Sequence, residues 1–169
     1  NGVILIDLSA AFDLVDPTVL CRKLEIYGLD SNAIKWIKSY MENRFQAVWI
    51  DHMLSDWINI NIGVPQGSIL GPLFFILFAN DLPDSVNSEL DEYADDSTMT
   101  ESDKNIIKIN TNMTESCNQV KDWMIENRLC LNADKTKLLI AGTSKRLKNL
   151  DEAQINILID EKTVEKRKM

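Results

Sequence analysis

The residues in this sequence that are best suited to chemistry are acidic. Asp95 and Asp96 stand side by side in the stretch ELDEYADDSTMT, and Asp7 follows the apolar run GVILI near the start of the chain. Adjacent carboxylates repel each other unless a positive group lies between them and a partner. Two strands of one sheet would bring these three aspartates to a shared edge. Hard oxygen ligands on rigid elements, with positions left open for phosphates, suit paired Mg²⁺ ions.

Each of these signals also has a simpler structural explanation. A lone Asp-Asp pair is usually a solvated turn, and a lone aspartate at a strand end is usually a cap or turn residue. The segment GVPQGS (63–68), which precedes a long apolar run, is usually a tight loop before a helix. Only the order and context of these segments distinguish a chemical role from a structural one.

The composition narrows the class of protein. The chain has 169 residues, of which 45% are hydrophobic and 26% charged, as is usual for a globular domain with a sizeable core. Cys21, Cys117 and Cys130 show no CxxC or Cys/His spacing, and His52 is the only histidine. A structural zinc site and a disulfide framework are therefore disfavoured, and we expect an intracellular protein.

Charge and hydropathy argue against two further classes of protein. The net charge of −8 argues against nucleic-acid binding, although metal-binding carboxylates would inflate the acid count. The longest apolar run, SILGPLFFILFA (68–79), is shorter than the roughly 20 residues that span a bilayer. It predicts a buried core helix, and no membrane association is expected.

Strand and helix patterns interleave along the chain, which predicts an α+β fold with a sheet covered by helices on one face. The first helix has the clearest signals, with Asp16 as its N-cap, Pro17 at its first position and Gly28 beyond its end. The predicted strands cover 2–7, 45–51, 56–63, 129–132 and 137–142, with a final hairpin around Asp160–Glu161; the predicted helices cover 17–27, 30–45, 68–79 and 103–127.

Several apolar sets are expected to share one face of their element, and the set in the second helix is expected to face inward. They are Leu20, Leu24 and Tyr27; Ile34, Ile37 and Met41; Ile58, Ile60 and Ile62, in a hairpin that turns at residues 52–55; and Ile106, Ile109, Met113, Val120 and Trp123 or Met124.

Four segments together resemble the reverse transcriptases of non-LTR retrotransposons of the LINE and jockey type. LIDLSAAFDLVD (5–16) resembles motif A, NIGVPQGSILGPLFFILFANDLP (61–83) motif B, YADD (93–96) motif C and WMIENRLCLNADKTKLLI (123–140) motif D. They occur in the family's order and cover about residues 2–140. The resemblance implies the palm of a right-hand polymerase over residues 1–142, a linker and hairpin at 143–169, and fingers and thumb missing from this chain.

The resemblance also implies a metal site. Asp7, Asp95 and Asp96 match the ligands of two Mg²⁺ ions, for which Mn²⁺ can substitute, and the Leu8 carbonyl matches a further contact. Lys135 matches the motif D lysine, which protonates the leaving pyrophosphate or offsets its charge. Lys137 is the other candidate for that role. For both residues, the alternative is a surface lysine without a catalytic role.

Further positions match substrate contacts. Phe12 matches the residue that packs under the incoming sugar and rejects a ribose 2′-OH, although a plain core phenylalanine is the alternative. Gln66 and Gly67 match the loop beside the incoming nucleotide, Ser68 is expected to cap the following helix, and Tyr93 opens the YADD segment. A Cβ at position 67 would intrude on the substrate.

The implied chemistry is nucleotidyl transfer from a deoxynucleoside triphosphate to a DNA primer on an RNA template. The isolated chain is expected to show little or no processive extension. Asp91 and Glu92 depart from the apolar residues that the family usually has before motif C, so either this strand is an exposed edge or the copy has drifted. A non-catalytic relic palm that acts as a binding module therefore stays open, as does, more weakly, another palm-like two-metal enzyme such as a nucleotidyl cyclase.

Overall fold

The computed structural model describes residues 1–93, 96–132, 135–148, 157–159 and 162–168. Its contacts divide the chain into two compact units. The first unit comprises Asn1–Ser9 with Asp81–Met169, and the second unit comprises Ala10–Asn80. The division expected between residues 142 and 143 stays a prediction.

Strands and helices alternate through both units. In chain order they are β1 (Gly2–Asp7), α1 (Ala11–Leu14), α2 (Pro17–Ile26), α3 (Ser31–Met41), β2 (Arg44–Gln46), β3 (Trp49–Ile50), β4 (Met53–Leu54), β5 (Ile58–Ile60), α4 (Leu70–Ala79), a 3-10 turn (Pro83–Ser85), β6 (Glu89–Tyr93), β7 (Asp96–Glu101), α5 (Ile106–Glu126), β8 (Lys137–Ile140), α6 (Ser144–Lys148), β9 (Leu158–Ile159), β10 (Lys162–Thr163) and β11 (Glu165–Lys168).

A five-stranded sheet organises the first unit. Its strand order is β11-β8-β1-β7-β6, and every pairing is antiparallel except that of β11 with β8. β9 and β10 form the expected final hairpin, although its turn lies outside the described residues. The α+β class predicted from the sequence is confirmed.

One face of this sheet is apolar and covered. Ile4 and Ile6 of β1, Met99 of β7 and Leu138 of β8 alternate with outward residues and are buried, because successive side chains on a strand point to opposite faces. Helix α5 lies on this face: a Cβ added to Gly2 would come within 2.5 Å of Met113 Sδ. The opposite face carries the alternate positions of β1, which include Asp7.

The second unit contains the four helices α1 to α4. Asp16 caps α2 through Oδ1, which accepts from the amides of Thr18 and Val19, as the sequence predicted. Buried residues of α2 and α3 form the expected stripes, but Tyr27 lies beyond the end of α2 and is partly exposed. The buried positions are Leu20, Leu24, Ile34, Ile37 and Met41.

Helix α4 is the predicted core helix, but only one of its faces is buried. Phe74, Phe75 and Phe78 are buried, whereas Leu73 and Ile76 are exposed. An all-apolar sequence carries no polar face to mark the exposed side, so the pattern alone did not separate the two.

Residues 44–60 of the second unit form an extended arm of paired strands. β2 pairs with β5, and β3 pairs with β4 across a turn at Asp51 and His52, which both have positive φ. The predicted turn at residues 52–55 is therefore wrong by one to two residues. The sequence placed Ile58, Ile60 and Ile62 on one face, and this face is largely uncovered, because Ile58 and Ile62 are exposed and Ile60 is half-buried.

Two more predictions concern elements of the first unit. α5 confirms the long helix, with both Trp123 and Met124 buried. The strand predicted at 129–132 is reduced to a single bridge between Leu8 and Leu131. Within the described part of the chain, no helix is both long and apolar enough to cross a membrane.

Candidate active site

Two of the three predicted aspartates are cross-strand neighbours. Asp7 is the last residue of β1 and pairs with Asp96, the first residue of β7. Directly opposed residues in antiparallel strands have Cβ atoms about 4.5–5.5 Å apart, so both carboxylates stand together on the face of the sheet opposite α5. The third predicted aspartate, Asp95, lies outside the described residues.

The Asp7 carboxylate has unused acceptor capacity. Its Oδ2 is buried and has no hydrogen-bond partner among the described residues. Lys135 Nζ forms an ion pair with this oxygen at 3.7 Å. A buried carboxylate oxygen with free lone pairs is costly unless a cation offsets it. This donor therefore fits a hard divalent ion.

The described residues hold only part of a complete metal site. Across those ranges, no three His, Cys, Asp or Glu side chains form a group that could bind a metal. Asp7 and Asp96 supply two carboxylates. A complete site would also need the Asp95 carboxylate or oxygen atoms of substrate phosphates. The chemistry of the two carboxylates fits a divalent metal.

A turn before β8 positions Lys135. The amide of Asn132 donates to the Asp7 carbonyl at 3.0 Å, and the amide and hydroxyl of Thr136 donate to the Asn132 carbonyl at 3.0 and 2.9 Å. The turn is thus anchored to the end of β1, which explains how Lys135 reaches Asp7. The competing lysine, Lys137, lies in β8 opposite Leu5.

Leu8 and Tyr93 flank the carboxylates. Leu8 is buried, and the hydrogen bonds of its bridge involve the Asp7 carbonyl and the Ser9 amide rather than the Leu8 carbonyl. Tyr93 is the cross-strand partner of Asp96 and is 83% exposed. The predicted substrate contacts at these two residues stay predictions.

The acidic residues before Tyr93 lie on an edge strand. β6 is the last strand of its sheet, and Asp91 and Glu92 are exposed. The exposed edge that the sequence offered as one explanation is therefore confirmed. Charged residues on an edge strand also oppose pairing with other chains, so these acids fit a folded sheet.

Phe12 is held by a ring contact inside the second unit. It lies in α1 and stacks on Phe75 of α4, with ring centroids 4.7 Å apart and an interplanar angle of 20°. The side chain is half-buried. One part of the ring is therefore fixed by packing while another part is accessible, which is compatible with both the sugar-contact and the core interpretations.

The loop before α4 is pinned to the segment that follows α1. The amide of Gly63 donates to the Val15 carbonyl and the amide of Val64 to the Phe12 carbonyl, both at 2.8 Å. Gly63 has φ +80°, and a Cβ there would lie 2.7 Å from the Asp13 carbonyl oxygen. Only glycine permits this close approach.

Arg44 secures the same loop from the other side. Its guanidinium donates to the carbonyls of Met41, Ile62 and Gly63. Burial lowers the pKa of Arg44, but arginine remains a cation in proteins. The sequence around Arg44 does not reveal this role, because nothing in its local pattern marks a long-range contact with carbonyl oxygens.

The predicted nucleotide loop is ordered by side-chain hydrogen bonds. Gln66 Nε2 donates to Asp13 Oδ1 at 2.6 Å. Ser68 Oγ accepts from the amide of Gly71 in the first turn of α4 at 2.9 Å, although Ser68 lies one residue before Ile69, which occupies the N-cap position. Gly67 has φ +80°, and a Cβ there would meet no protein atom within 4 Å.

A groove of about 810 Å³ runs beside this loop within the second unit. Its lining includes the polar side chains of Asp13, Gln46 and Gln66 and the apolar side chains of Phe45 and Ile60. Asp13 was not among the predicted site residues, although it lies inside the quoted motif A segment.

Comparison with known proteins assigns these features to one family. A family model described as reverse transcriptase (RNA-dependent DNA polymerase) matches residues 1–164. The chain is 30% identical over 139 residues to the RNA-directed DNA polymerase from mobile element jockey of Drosophila melanogaster, covering 77% of this chain and 15% of that protein. It is 38% identical over 80 residues to the probable RNA-directed DNA polymerase from transposon X-element of the same species, covering 47% of this chain and 9% of that protein.

Solved structures agree on the fold. Telomerase from Candida albicans, determined with a fragment of telomeric RNA, matches with a TM-score of 0.60 and 16% identity over 85% of this chain and 27% of that one. Telomerase from Candida tropicalis matches with a TM-score of 0.60 and 18% identity, over 85% of this chain and 31% of that one. The chain thus has the palm-like fold implied by its motifs, and it belongs to the reverse transcriptase (RNA-dependent DNA polymerase) family.

Proposed function

We propose that this chain is the palm segment of an RNA-directed DNA polymerase of a non-LTR retrotransposon. The reaction joins a primer 3′-oxygen to the α-phosphorus of a deoxynucleoside triphosphate and releases pyrophosphate, with an RNA template directing the choice of base. The chain spans about 15% of the length of the jockey polymerase, whose name supplies the reaction class.

The observation that carries this proposal is the pairing of Asp7 with Asp96 on the sheet face opposite α5. The buried Asp7 Oδ2 without a hydrogen bond marks the position where a cation would be most favourable. With Asp95, these carboxylates would hold two Mg²⁺ or Mn²⁺ ions, which supply charge neutralisation at the primer oxygen and the pyrophosphate.

The other residues have distinct roles in the proposed reaction. Lys135 is exposed and within 3.7 Å of Asp7, so its ammonium group is available to offset charge on the pyrophosphate or to protonate it. Phe12, fixed on Phe75, supplies a rigid ring against which a ribose 2′-OH would clash. Gln66 and Gly67 would contact the incoming nucleotide, the Leu8 carbonyl would contact a metal, and Tyr93 would contact nucleic acid.

A thermal-unfolding experiment tests the metal site on this chain. Saturating Mg²⁺ or Mn²⁺, at about 100 times Kd, would add about 2.7 kcal/mol and raise Tm by roughly 5–10 °C. Asp7→Asn and Asp96→Asn should each abolish most of the rise. Asp91→Asn, which removes the same charge from the exposed edge of the same sheet, should leave it intact. Equal rises in all four proteins would remove the metal-site claim.

Primer extension tests the reaction itself. In a longer polymerase that contains this segment, we expect extension of a DNA primer on RNA, and Asp7→Asn should lower its rate by about 10³-fold. The isolated chain should show little or no processive extension. If the longer wild-type polymerase binds metal but does not extend, the catalytic proposal fails while the metal site survives.

A further inference from the structure

Asp13 and Gln66 form a side-chain hydrogen bond that the sequence pattern does not predict. The two residues are 53 positions apart and belong to the same unit. Both side chains line the groove, and their hydrogen bond of 2.6 Å is short for an amide donor. A contact between two exposed polar groups has little value for folding, so its position in the groove needs another explanation.

The backbone around this contact is fixed independently. Two amide–carbonyl bonds of 2.8 Å join Gly63 to Val15 and Val64 to Phe12, on either side of Asp13 in the chain. Gly63 also packs directly against the Asp13 backbone. The Asp13 carboxylate is therefore presented to Gln66 from a rigid support, which reduces the entropy lost when the side chains pair.

The chemistry of the pair sets the orientation of the glutamine. A carboxylate only accepts hydrogen bonds, so the Gln66 atom that meets Asp13 must be the NH₂ group. The amide oxygen is then directed away from Asp13. Without Asp13, the amide could rotate by half a turn at little cost and present either end.

We propose that Asp13 is a positioning residue that fixes the Gln66 amide so that its oxygen meets the ligand. The group recognised there must be a hydrogen-bond donor, and a sugar hydroxyl of an incoming nucleotide is the class that fits. This inference rests on the proposed function, since it deepens the role of Gln66 in that site.

The first test examines the orientation without any substrate. In NMR spectra of this chain, the Gln66 side-chain amide proton that bonds to Asp13 should exchange more slowly with solvent, and resonate further downfield, than the side-chain amide protons of an exposed glutamine. Gln46, which lines the same groove, supplies the comparison within one sample. Asp13→Ala should make the Gln66 signals resemble those of an exposed glutamine, and Asp13→Asn, which keeps an acceptor, should restore part of the protection.

Asp56→Ala is the matched control. It removes the same charge from an exposed position in the same unit, and it should leave the Gln66 signals unchanged. If wild-type Gln66 already exchanges like an exposed glutamine, the proposal is overturned. This result needs no variant, so misfolding of Asp13→Ala would not protect the proposal.

The second test examines substrate use in a longer polymerase that contains this segment. Loss of a fixed acceptor should raise KM for deoxynucleoside triphosphates about tenfold in Asp13→Ala and change kcat less. The preference for a deoxynucleotide over a dideoxynucleotide should shrink, because the lost contact is to a hydroxyl. A kcat defect with unchanged KM and unchanged preference would contradict a positioning role.

The two tests separate the possible failures. If the polymerase does not extend primers at all, the proposed function fails and the NMR result alone decides whether Asp13 orients Gln66. If extension is normal and Asp13→Ala behaves as wild type in both assays, Asp13 has no positioning role and the proposed function is unaffected.

Discussion

Two regions that the sequence predicts as strands have very different environments. The apolar face of the first-unit sheet, under α5, buries Ile4, Met99 and Leu138 completely. The arm of the second unit, residues 44–60, alternates apolar and polar residues, but Phe45 and Trp49 are more than half exposed. A continuous apolar run predicted β1 and alternation predicted the strands of the arm, whereas burial depends on whether a second layer covers a strand.

The difference in burial between the two regions is large enough to measure with one matched pair of substitutions. Ile4→Ala removes a side chain with 0% exposure from the sheet, and it should lower the free energy of unfolding by about 3 kcal/mol through lost burial and a residual cavity. Ile58→Ala removes the same atoms from a side chain that is 65% exposed, and it should cost no more than about 0.5 kcal/mol.

Urea unfolding followed by circular dichroism gives both values. If both variants lost the same free energy of unfolding, the arm would be covered in solution, and the contrast between a buried sheet and an exposed arm would be wrong. A denaturant slope that changes in one variant only would show that this substitution alters the denatured or native state or breaks two-state unfolding.

The next test examines whether a substitution among the packed helices of the second unit, here called the helical layer, lowers stability as much as one in the sheet or as little as one in the arm. Lys23 is buried in α2, and its Nζ donates to the Phe78 carbonyl at 2.7 Å and lies 4.9 Å from the centre of the Phe78 ring. A cation at the last turn of α4 also interacts favourably with the helix dipole. Removing it leaves a buried carbonyl oxygen without this donor.

We therefore expect Lys23→Ala to destabilise the chain by about 2 kcal/mol. Arg22→Ala, at the neighbouring exposed position of the same helix, should change stability by less than about 0.5 kcal/mol. Urea midpoints at constant slope compare the two. If both variants matched wild type, the helical layer would resemble the arm rather than the sheet.

The same contrast explains which parts of the fold were predictable. α2 was predicted in detail because its signals are local: Asp16 caps it, Pro17 begins it, and Gly28 follows it with positive φ. The extent of burial of α4 and of the arm was not predicted from the sequence, because it depends on packing partners that are distant in the chain. A uniformly apolar segment does not reveal which of its faces is covered.

The candidate site divides in the same way. A shared sheet edge for Asp7 and the YADD aspartates followed from strands that end at acidic residues, and the register of β1 with β7 bears out the part that concerns Asp96. Residue types alone did not predict the side-chain bonds of Asp13 and Arg44, because each joins positions that are far apart in the chain. Only the fold brings such partners together.

The smallest expected effect concerns a thiol in the layer that covers the sheet. Burial in α5 raises the pKa of Cys117 to about 12, from an ordinary value near 9. The folded state thus favours the protonated thiol. Its contribution to stability is fully present below pH 9 and is lost as the pH rises toward 12, since the unfolded chain releases the proton first.

Cys117→Ala should therefore reduce the fall in stability between pH 8.5 and pH 10.5, as measured by urea midpoints across that range, whereas Cys130→Ala should leave the fall unchanged because Cys130 is exposed. Alkylation gives a second readout: iodoacetamide should modify Cys130 quickly and Cys117 only at the rate at which the first unit opens. Equal alkylation of Cys117 and Cys130 in the native chain would show that α5 does not shield the sheet, and the contrast with the arm would then rest on the strands alone.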